Sequence, residues 1–107
     1  MTVSKLFTPI SIGNIALKHR VVLAPLTRYR STGDHVPNEL LVEYFTQRAG
    51  NGGGLLLTDA TLISPMAGGL PGAPGIYTQD QIEGWKKVLD LYFLFHHRAC
   101  VHSILIH

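Results

Sequence analysis

The chain has 107 residues, of which 46% are hydrophobic and 15% are charged, and its formal net charge is +2. This hydrophobic content is typical of a folded core and argues against a disordered tail. The charge is too small, and the lysines and arginines are too scattered, for a nucleic-acid-binding surface. The single cysteine, Cys100, excludes an intrachain disulfide and fits a reducing compartment.

Neither a signal peptide nor a membrane-spanning segment is expected. Residues 1–9 lack the apolar core of a signal peptide. Residues 91–95 are apolar but too few to span a bilayer, and residues 96–98 interrupt any longer apolar run. We therefore expect a cytoplasmic location and no membrane partner.

The first predicted element is a β-hairpin. Residues 10–12 and 15–17 form two alternating arms around the pair Gly13-Asn14. Such a pair tolerates the positive φ angles of tight hairpin turns. The pattern predicts a structural hairpin.

A buried strand follows at residues 21–24, which are apolar without alternation. This pattern is typical of a parallel strand that is covered on both faces. Pro25 cannot donate to a sheet ladder, so the strand must end there. Leu26 and Thr27 then lie just beyond the strand's carboxyl end, where a (β/α)8 barrel assembles its chemistry.

A helix is predicted to open at Asn38, which is a suitable N-cap, with Glu39 placed favourably in the helix dipole. Gly50 and Asn51 should end this helix. One face should pack on the sheet, and its residues recur at helical spacing: Leu40, Leu41, Tyr44, Phe45 and Arg48.

Three glycines at 52–54 precede a second buried strand at residues 55–59. Phosphate-binding glycines instead follow a strand and open a helix, so we favour a structural connection. The long loop 64–77 is rich in glycine and proline, and such loops are usually functional or disordered. Thr78 and Gln81 have the spacing of a capping box. The second helix should run to Asp90 and bury Ile82, Trp85, Val88 and Leu89.

The composition changes after Asp90. Residues 91–107 contain no glycine, proline or acidic residue, and they hold four of the six histidines. A metal site is not predicted, because zinc ligands usually come in two pairs with short internal spacing. That second pair is missing from the available group of His96, His97, Cys100 and His102.

Two stretches carry a resemblance to a known family. "APLTRYRS" at 24–31 and "YFTQRAGNGGGLLLTDATLISPMAGGLPGAPGIYTQDQIEGWKKVLD" at 44–90 resemble the opening of the Old Yellow Enzyme family of flavin-dependent ene-reductases. The resemblance implies an α/β fold, the N-terminal portion of a (β/α)8 TIM barrel with a capping β-hairpin. Residues 1–90 would form part of the FMN-dependent oxidoreductase domain. Residues 91–107 would be an off-family tail that supplies no third parallel strand.

The same resemblance implies a partial flavin site. Thr27 would donate to the flavin C4 carbonyl, while the backbone of Pro25 and Leu26 would lie against the ring. Ala60 would bring a small side chain close to the flavin, and Tyr29 would lie at the mouth of the substrate pocket. From the residues alone, Thr27 is better explained as a turn or cap hydroxyl, and Ala60 as a small residue at a strand end.

The remaining polar residues have plainer interpretations. Asp59 is expected to be a structural carboxylate, because the family does not transfer protons at this position. Arg28 and Arg30 are expected to be solvated or ion-paired beside Tyr29. His35 is expected on the surface, without a partner.

The implied reaction has two halves: NAD(P)H reduces FMN, and the reduced flavin delivers a hydride to an activated alkene such as an α,β-unsaturated carbonyl. A complete barrel needs about 250 residues, and its phosphate site follows strands 7 and 8. The catalytic residues and that phosphate site are therefore expected beyond these 107 residues.

Two hypotheses remain. The chain represents an FMN-dependent NAD(P)H oxidoreductase, or it is a truncated, inactive product of a gene-model error, frameshift or splice event. In the second case it would not bind FMN stably. Exposed strand edges would also make it prone to association or aggregation.

Overall fold

The structure is a computed structural model that describes residues 4–49, 54–67, 70–94 and 104–105. Short 3-10 turns lie at Lys5–Phe7 and Pro65–Ala67. Within the described ranges the main elements follow in the order β1 (Ile10–Ile12), β2 (Ile15–Leu17), β3 (Val22–Leu23), α1 (Glu39–Ala49), β4 (Leu55–Leu56), β5 (Ala60–Thr61), α2 (Gln79–Leu94) and β6 (Ile104–Leu105).

The predicted hairpin is confirmed. β1 and β2 pair antiparallel, with Ile10 opposite Leu17 and Ile12 opposite Ile15. Gly13 has a φ of +55° at the turn, a left-handed conformation that costs glycine little because it has no Cβ.

The two predicted parallel strands are confirmed, although both are shorter than expected. The burial predicted for them is wrong, because Val22 is 45% exposed and Leu55 and Leu56 are half-buried. Val22 lies opposite Leu55, and Leu23 lies opposite Leu56, in a parallel register. The Leu57 amide extends the ladder by donating to the Leu23 carbonyl at 3.1 Å. Because α1 connects the two strands, this part of the chain is one β-α-β unit.

The N-cap predicted for α1 is confirmed, since the Asn38 Oδ1 atom accepts from the Leu40 amide at 3.0 Å. The predicted buried face is partly wrong. Leu40 is exposed and Val42 is buried in its place. Neighbouring helix positions lie about 100° apart, so a stripe centred on Leu41 and Phe45 can include Val42 but excludes Leu40.

The capping box that opens α2 is also confirmed. The Gln81 amide donates to Thr78 Oγ1 at 3.2 Å, and the Thr78 amide donates to Gln81 Oε1 at 3.1 Å. The predicted burial of Ile82 is wrong, because this residue is exposed. The shared core of the two helices consists of Leu41, Val42, Tyr44, Phe45, Trp85 and Val88, with Leu23 and Leu56 of the sheet packed against it.

The end predicted for α2 at Asp90 is wrong, because the helix continues to Leu94. Neither glycine nor proline lies between these positions to stop it. The expectation of no further parallel strand is wrong as well. β6 pairs parallel with β5, with Ala60 opposite Ile104 and Thr61 opposite Leu105, since strand pairing needs only accessible backbone groups and a long enough connection. The assignment of residues 91–107 to an off-family tail stays a prediction.

Candidate functional site

The candidate site lies where β3 and β4 end. The chain leaves β3 through a tight turn in which the Leu26 amide donates to the Ala24 carbonyl at 2.9 Å. Pro25 and Thr27 are half-buried, whereas Leu26 is 47% exposed. The turn therefore lies just beyond the strand, as the sequence predicts, and none of these three residues is fully buried.

A buried carboxylate links this turn to the neighbouring strand end. Asp59 is only 1% exposed, and its Oδ2 atom accepts from the Arg28 amide at 3.1 Å. Burial raises the pKa of Asp59 above its ordinary value, while the Arg28 amide and the charges of Arg28 and Arg30 act in the opposite direction. The structure thus gives Asp59 a structural contact between the two strand ends.

The contact brings together two of the predicted flavin-site positions. Thr27 precedes Arg28, and Ala60 follows Asp59, so each lies one residue from the same hydrogen bond. Ala60 is buried as the first residue of β5. The next residue, Thr61, donates its hydroxyl to the Asp59 carbonyl at 2.7 Å. The Thr27 hydroxyl and the Ala60 methyl group therefore lie next to two residues that a hydrogen bond connects.

Tyr29 lies next to the same turn, with a φ of +56° and an exposed fraction of 57%. Its backbone packs against Gly72, whose own φ is +83°. A Cβ on Gly72 would lie 3.1 Å from the Tyr29 carbonyl oxygen. The Ser31 amide also donates to the Gly72 carbonyl at 3.0 Å. The sequence analysis did not predict this close contact of Gly72 with the Tyr29 backbone. The high glycine content of the loop was the signal that could have indicated it.

The basic residues after β3 are not simply solvated. The Arg30 guanidinium lies 5.1 Å from the centre of the Tyr44 ring, and that of Arg48 lies 3.6 Å from it. An arginine over an aromatic face is attracted by the ring electrons. Arg30 Nη1 also donates to the Arg28 carbonyl at 3.3 Å. The expectation of solvated or ion-paired arginines is therefore wrong for Arg30.

The expectation for His35 is also wrong. His35 is half-buried, and its Nδ1 atom donates to the Ala73 carbonyl at 2.8 Å. In turn, the Gly75 amide donates to the His35 carbonyl at 2.8 Å. His35 therefore fastens the loop after β3 to the long loop before α2. Its partners lie far along the chain, so local sequence patterns could not reveal them.

Within the described parts of the chain, no group of three or more potential ligands could hold a metal ion. The histidine and cysteine group at residues 96–102 lies outside the described residues. In those same described parts, no helix is both long enough and apolar enough to cross a membrane.

A hairpin, then a strand, a helix and a second strand parallel to the first make up the opening of an α/β barrel, with functional groups collected beyond the strand ends. The sequence identifies a particular family within this class. Residues 5–92 match the model of the NADH:flavin oxidoreductase / NADH oxidase family, and the chain belongs to that family.

Individual relatives support the assignment. The chain is 61% identical over 89 residues to the flavin oxidoreductase hxnT of Emericella nidulans, an alignment that covers 79% of this chain and 23% of that protein. It is 56% identical over 85 residues to 12-oxophytodienoate reductase 1 of Oryza sativa subsp. japonica, covering 79% and 22%.

The fold is similar to solved members as well. The crystal structure of Old Yellow Enzyme from a Pichia species matches with a TM-score of 0.87 and 40% identity, covering 94% of this chain and 26% of that one. The chain thus spans about a quarter of the length of these relatives. This coverage confirms the predicted N-terminal portion of a TIM barrel, without a closed barrel among the described residues.

Proposed function

We propose that this chain supplies the first part of the flavin site of an FMN-dependent NAD(P)H oxidoreductase that reduces activated alkenes, such as α,β-unsaturated carbonyls. Membership of an NADH:flavin oxidoreductase family supports the cofactor and the reductant. The name of the rice 12-oxophytodienoate reductase supports a small-molecule reduction. We further propose a cytoplasmic location, with no nucleic-acid or membrane partner.

The observation that carries this proposal is the hydrogen bond from the Arg28 amide to Asp59. It joins the two strand ends that bear Thr27 and Ala60, the positions that would meet the flavin. A hydroxyl donor and a methyl group fit a flat ring with a polar carbonyl edge, because a larger side chain at position 60 would hold the backbone away from the ring.

Each residue has a distinct proposed role. The Thr27 hydroxyl would donate to the flavin C4 carbonyl, where it would stabilise the negative charge of the reduced ring. The backbone of Pro25 and Leu26 supports the ring, Ala60 allows close approach, and Tyr29 borders the substrate pocket. Bound FMN would supply the hydride chemistry, and the protein would bind and orient it.

The inactive-fragment hypothesis concerns the 107-residue polypeptide on its own. In α/β barrels the phosphate site commonly follows strands 7 and 8, and this chain covers about a quarter of its relatives. We therefore propose that the polypeptide alone holds FMN weakly and reduces no alkene. Residues outside this sequence would complete the site.

A chimera tests the proposal. In it, residues 1–90 of this chain are joined to the remaining part of the Emericella nidulans flavin oxidoreductase. We expect the chimera to bind FMN stoichiometrically and to oxidise NAD(P)H when an α,β-unsaturated carbonyl is added, and the 107-residue polypeptide to do neither. A second chimera that retains residues 91–107 before the junction should not load flavin. A chimera that folds but takes up no FMN would contradict the proposed function.

The Thr27 role is tested in the flavin-loaded chimera. Thr27→Ala removes one donor to the reduced ring, an effect of about 0.5–1.5 kcal/mol for a neutral hydrogen bond. We expect a lower flavin midpoint potential and slower reduction by NAD(P)H, while Thr27→Ser retains both values because it keeps the hydroxyl. An unchanged midpoint potential in Thr27→Ala would exclude this role.

A further inference from the structure

The turn that carries Thr27 is held at both of its ends by β4 and the residues that follow it. On the N-terminal side, the Leu57 amide donates to the Leu23 carbonyl at 3.1 Å and extends the backbone ladder. On the C-terminal side, the Arg28 amide donates to Asp59 Oδ2, also at 3.1 Å. Beyond the ladder, a side-chain oxygen thus replaces the backbone acceptor of the neighbouring strand.

The peptide groups around Arg28 are fixed from two directions. The Arg28 amide is bound by Asp59, and its carbonyl accepts from Arg30 Nη1 at 3.3 Å. Arg30 itself lies over the Tyr44 ring, which belongs to the buried helix core. The backbone that immediately follows Thr27 is therefore connected to both the sheet and the helices.

The acceptor is itself held firmly. Asp59 is buried, and its carbonyl oxygen accepts the Thr61 hydroxyl at 2.7 Å. The residue after Asp59, Ala60, is buried as the first residue of β5. A carboxylate between two strands moves less than one on a free loop, so it can serve as a fixed reference for the turn.

We infer that Asp59 is a positioning residue for the flavin site. Its carboxylate holds the Arg28 amide and thereby fixes the position of the Thr27 hydroxyl relative to Ala60. This inference rests on the proposed function. The orientation of the Thr27 side chain depends on the backbone torsions beside it, and displacements of about 1 Å weaken contacts made to a reacting group. Asp59 acts through Arg28 and Thr27 and does not itself touch the flavin or exchange a proton.

The test is a double-mutant cycle in the flavin-loaded chimera, with the flavin midpoint potential as the readout. If Asp59 positions Thr27, the shift caused by Thr27→Ala should fall below about a third of its size in the Asp59→Ala background, because coupled residues are non-additive. Asp59→Asn retains a carbonyl acceptor and should preserve the shift. Asp34→Ala removes an exposed carboxylate from the loop after β3 and should also preserve it.

The outcomes separate this inference from the proposed function. An undiminished Thr27→Ala shift in the Asp59→Ala background overturns the positioning role and leaves the function standing. No shift from Thr27→Ala in the chimera with Asp59 intact overturns the Thr27 assignment itself. Where Asp59→Ala does not fold, Asp59→Leu decides, because it has a similar shape and no acceptor: a diminished Thr27→Ala shift supports positioning by the acceptor oxygen, and an undiminished shift overturns it.

Discussion

The helix pair and the strand ends of this molecule differ in how well the described residues bury their apolar side chains. In the helix pair, Leu41, Phe45 and Trp85 are at most 5% exposed. Beside the candidate site, Val22 and Leu26 are 45% and 47% exposed. The helices therefore bury their apolar surface against each other, whereas apolar side chains at the strand ends remain exposed.

This difference assigns separate tasks to the two regions. Burial of apolar side chains is the main source of stability, so the helix pair should determine the free energy of unfolding. The strand ends contribute the groups that would meet a ligand. Two contacts connect the regions, since Leu23 and Leu56 pack on the helix core and Arg30 lies over Tyr44. Damage to the core should consequently reach the site, while changes at the site should affect stability less.

The largest expected effect tests the helix pair. Trp85→Ala should lower the free energy of unfolding by about 3–5 kcal/mol, as for other buried aromatic truncations. It removes a ring that lies 6.3 Å from the Phe45 ring and a hydrogen bond of 3.0 Å from Nε1 to the Gly75 carbonyl. Urea unfolding of the 107-residue chain measures the change.

Trp85→Phe is the matched control, because it keeps an aromatic ring and loses the hydrogen bond. An unsatisfied buried acceptor costs about 1–3 kcal/mol, so this variant should lie between the wild type and Trp85→Ala. If Trp85→Ala lowered the free energy of unfolding by less than Gly72→Ala or Asp59→Asn, the helix pair would not be the main source of stability.

A smaller effect is expected where the strand-end region meets the long loop. Gly72→Ala places a Cβ 3.1 Å from the Tyr29 carbonyl oxygen and forces alanine to adopt a φ of +83°. Left-handed strain of this kind costs about 1–3 kcal/mol. Gly33→Ala is the control, because the position that its Cβ would take has no contact within 4 Å and its φ is not left-handed.

Unfolding in urea should therefore show a clear loss for Gly72→Ala. For Gly33→Ala it should show no loss, or a gain of about 0.4–1 kcal/mol from the stiffer unfolded chain. Equal stabilities of the two variants would show that the loop does not press on Tyr29, and that the strand ends are less constrained than the contacts indicate.

A third change addresses the start of α1, between the two regions. Asn38→Ala removes the Oδ1 atom that accepts from the Leu40 amide at 3.0 Å. Loss of such a cap costs typically about 1 kcal/mol. Asn38→Asp retains the acceptor and adds a negative charge at the positive end of the helix, so its thermal midpoint should equal or exceed that of the wild type. A midpoint unchanged by Asn38→Ala would contradict the capping role.

The sequence predicted those features whose signals are local. The hairpin turn at Gly13, the Asn38 cap and the Thr78–Gln81 capping box each depend on residues within a few positions of one another, and all three are confirmed. The positions of both parallel strands followed from short apolar runs and from the proline that ends the first run.

Features that depend on distant residues could not be predicted in the same way. The buried face of α1 includes Val42 instead of Leu40, because the position of α2 decides the rotation of the stripe. His35 finds its partner 38 residues away, and Asp59 finds the Arg28 amide 31 residues away. Sequence reasoning assigned Asp59 a structural role, but only the fold identifies what it holds.

The smallest expected effect is a pH dependence that Asp59 contributes to stability. Burial is the largest influence on its pKa and raises it above the ordinary value of 3.8, while the Arg28 amide and the charges of Arg28 and Arg30 partly offset that rise. The folded chain therefore binds the Asp59 proton more tightly than the unfolded chain does. Stability from this group is present below the ordinary pKa and falls as the pH rises through the raised, folded-state pKa.

Asp59→Asn removes this titration and leaves every other ionisable group in place. The wild type should therefore lose stability relative to Asp59→Asn as the pH rises above 3.8. The difference between their unfolding free energies should become constant once Asp59 is ionised in the folded chain. Urea unfolding at a series of pH values measures it. A difference that moves in favour of the wild type over the same interval would mean that the Arg28 amide and the arginine charges together outweigh burial.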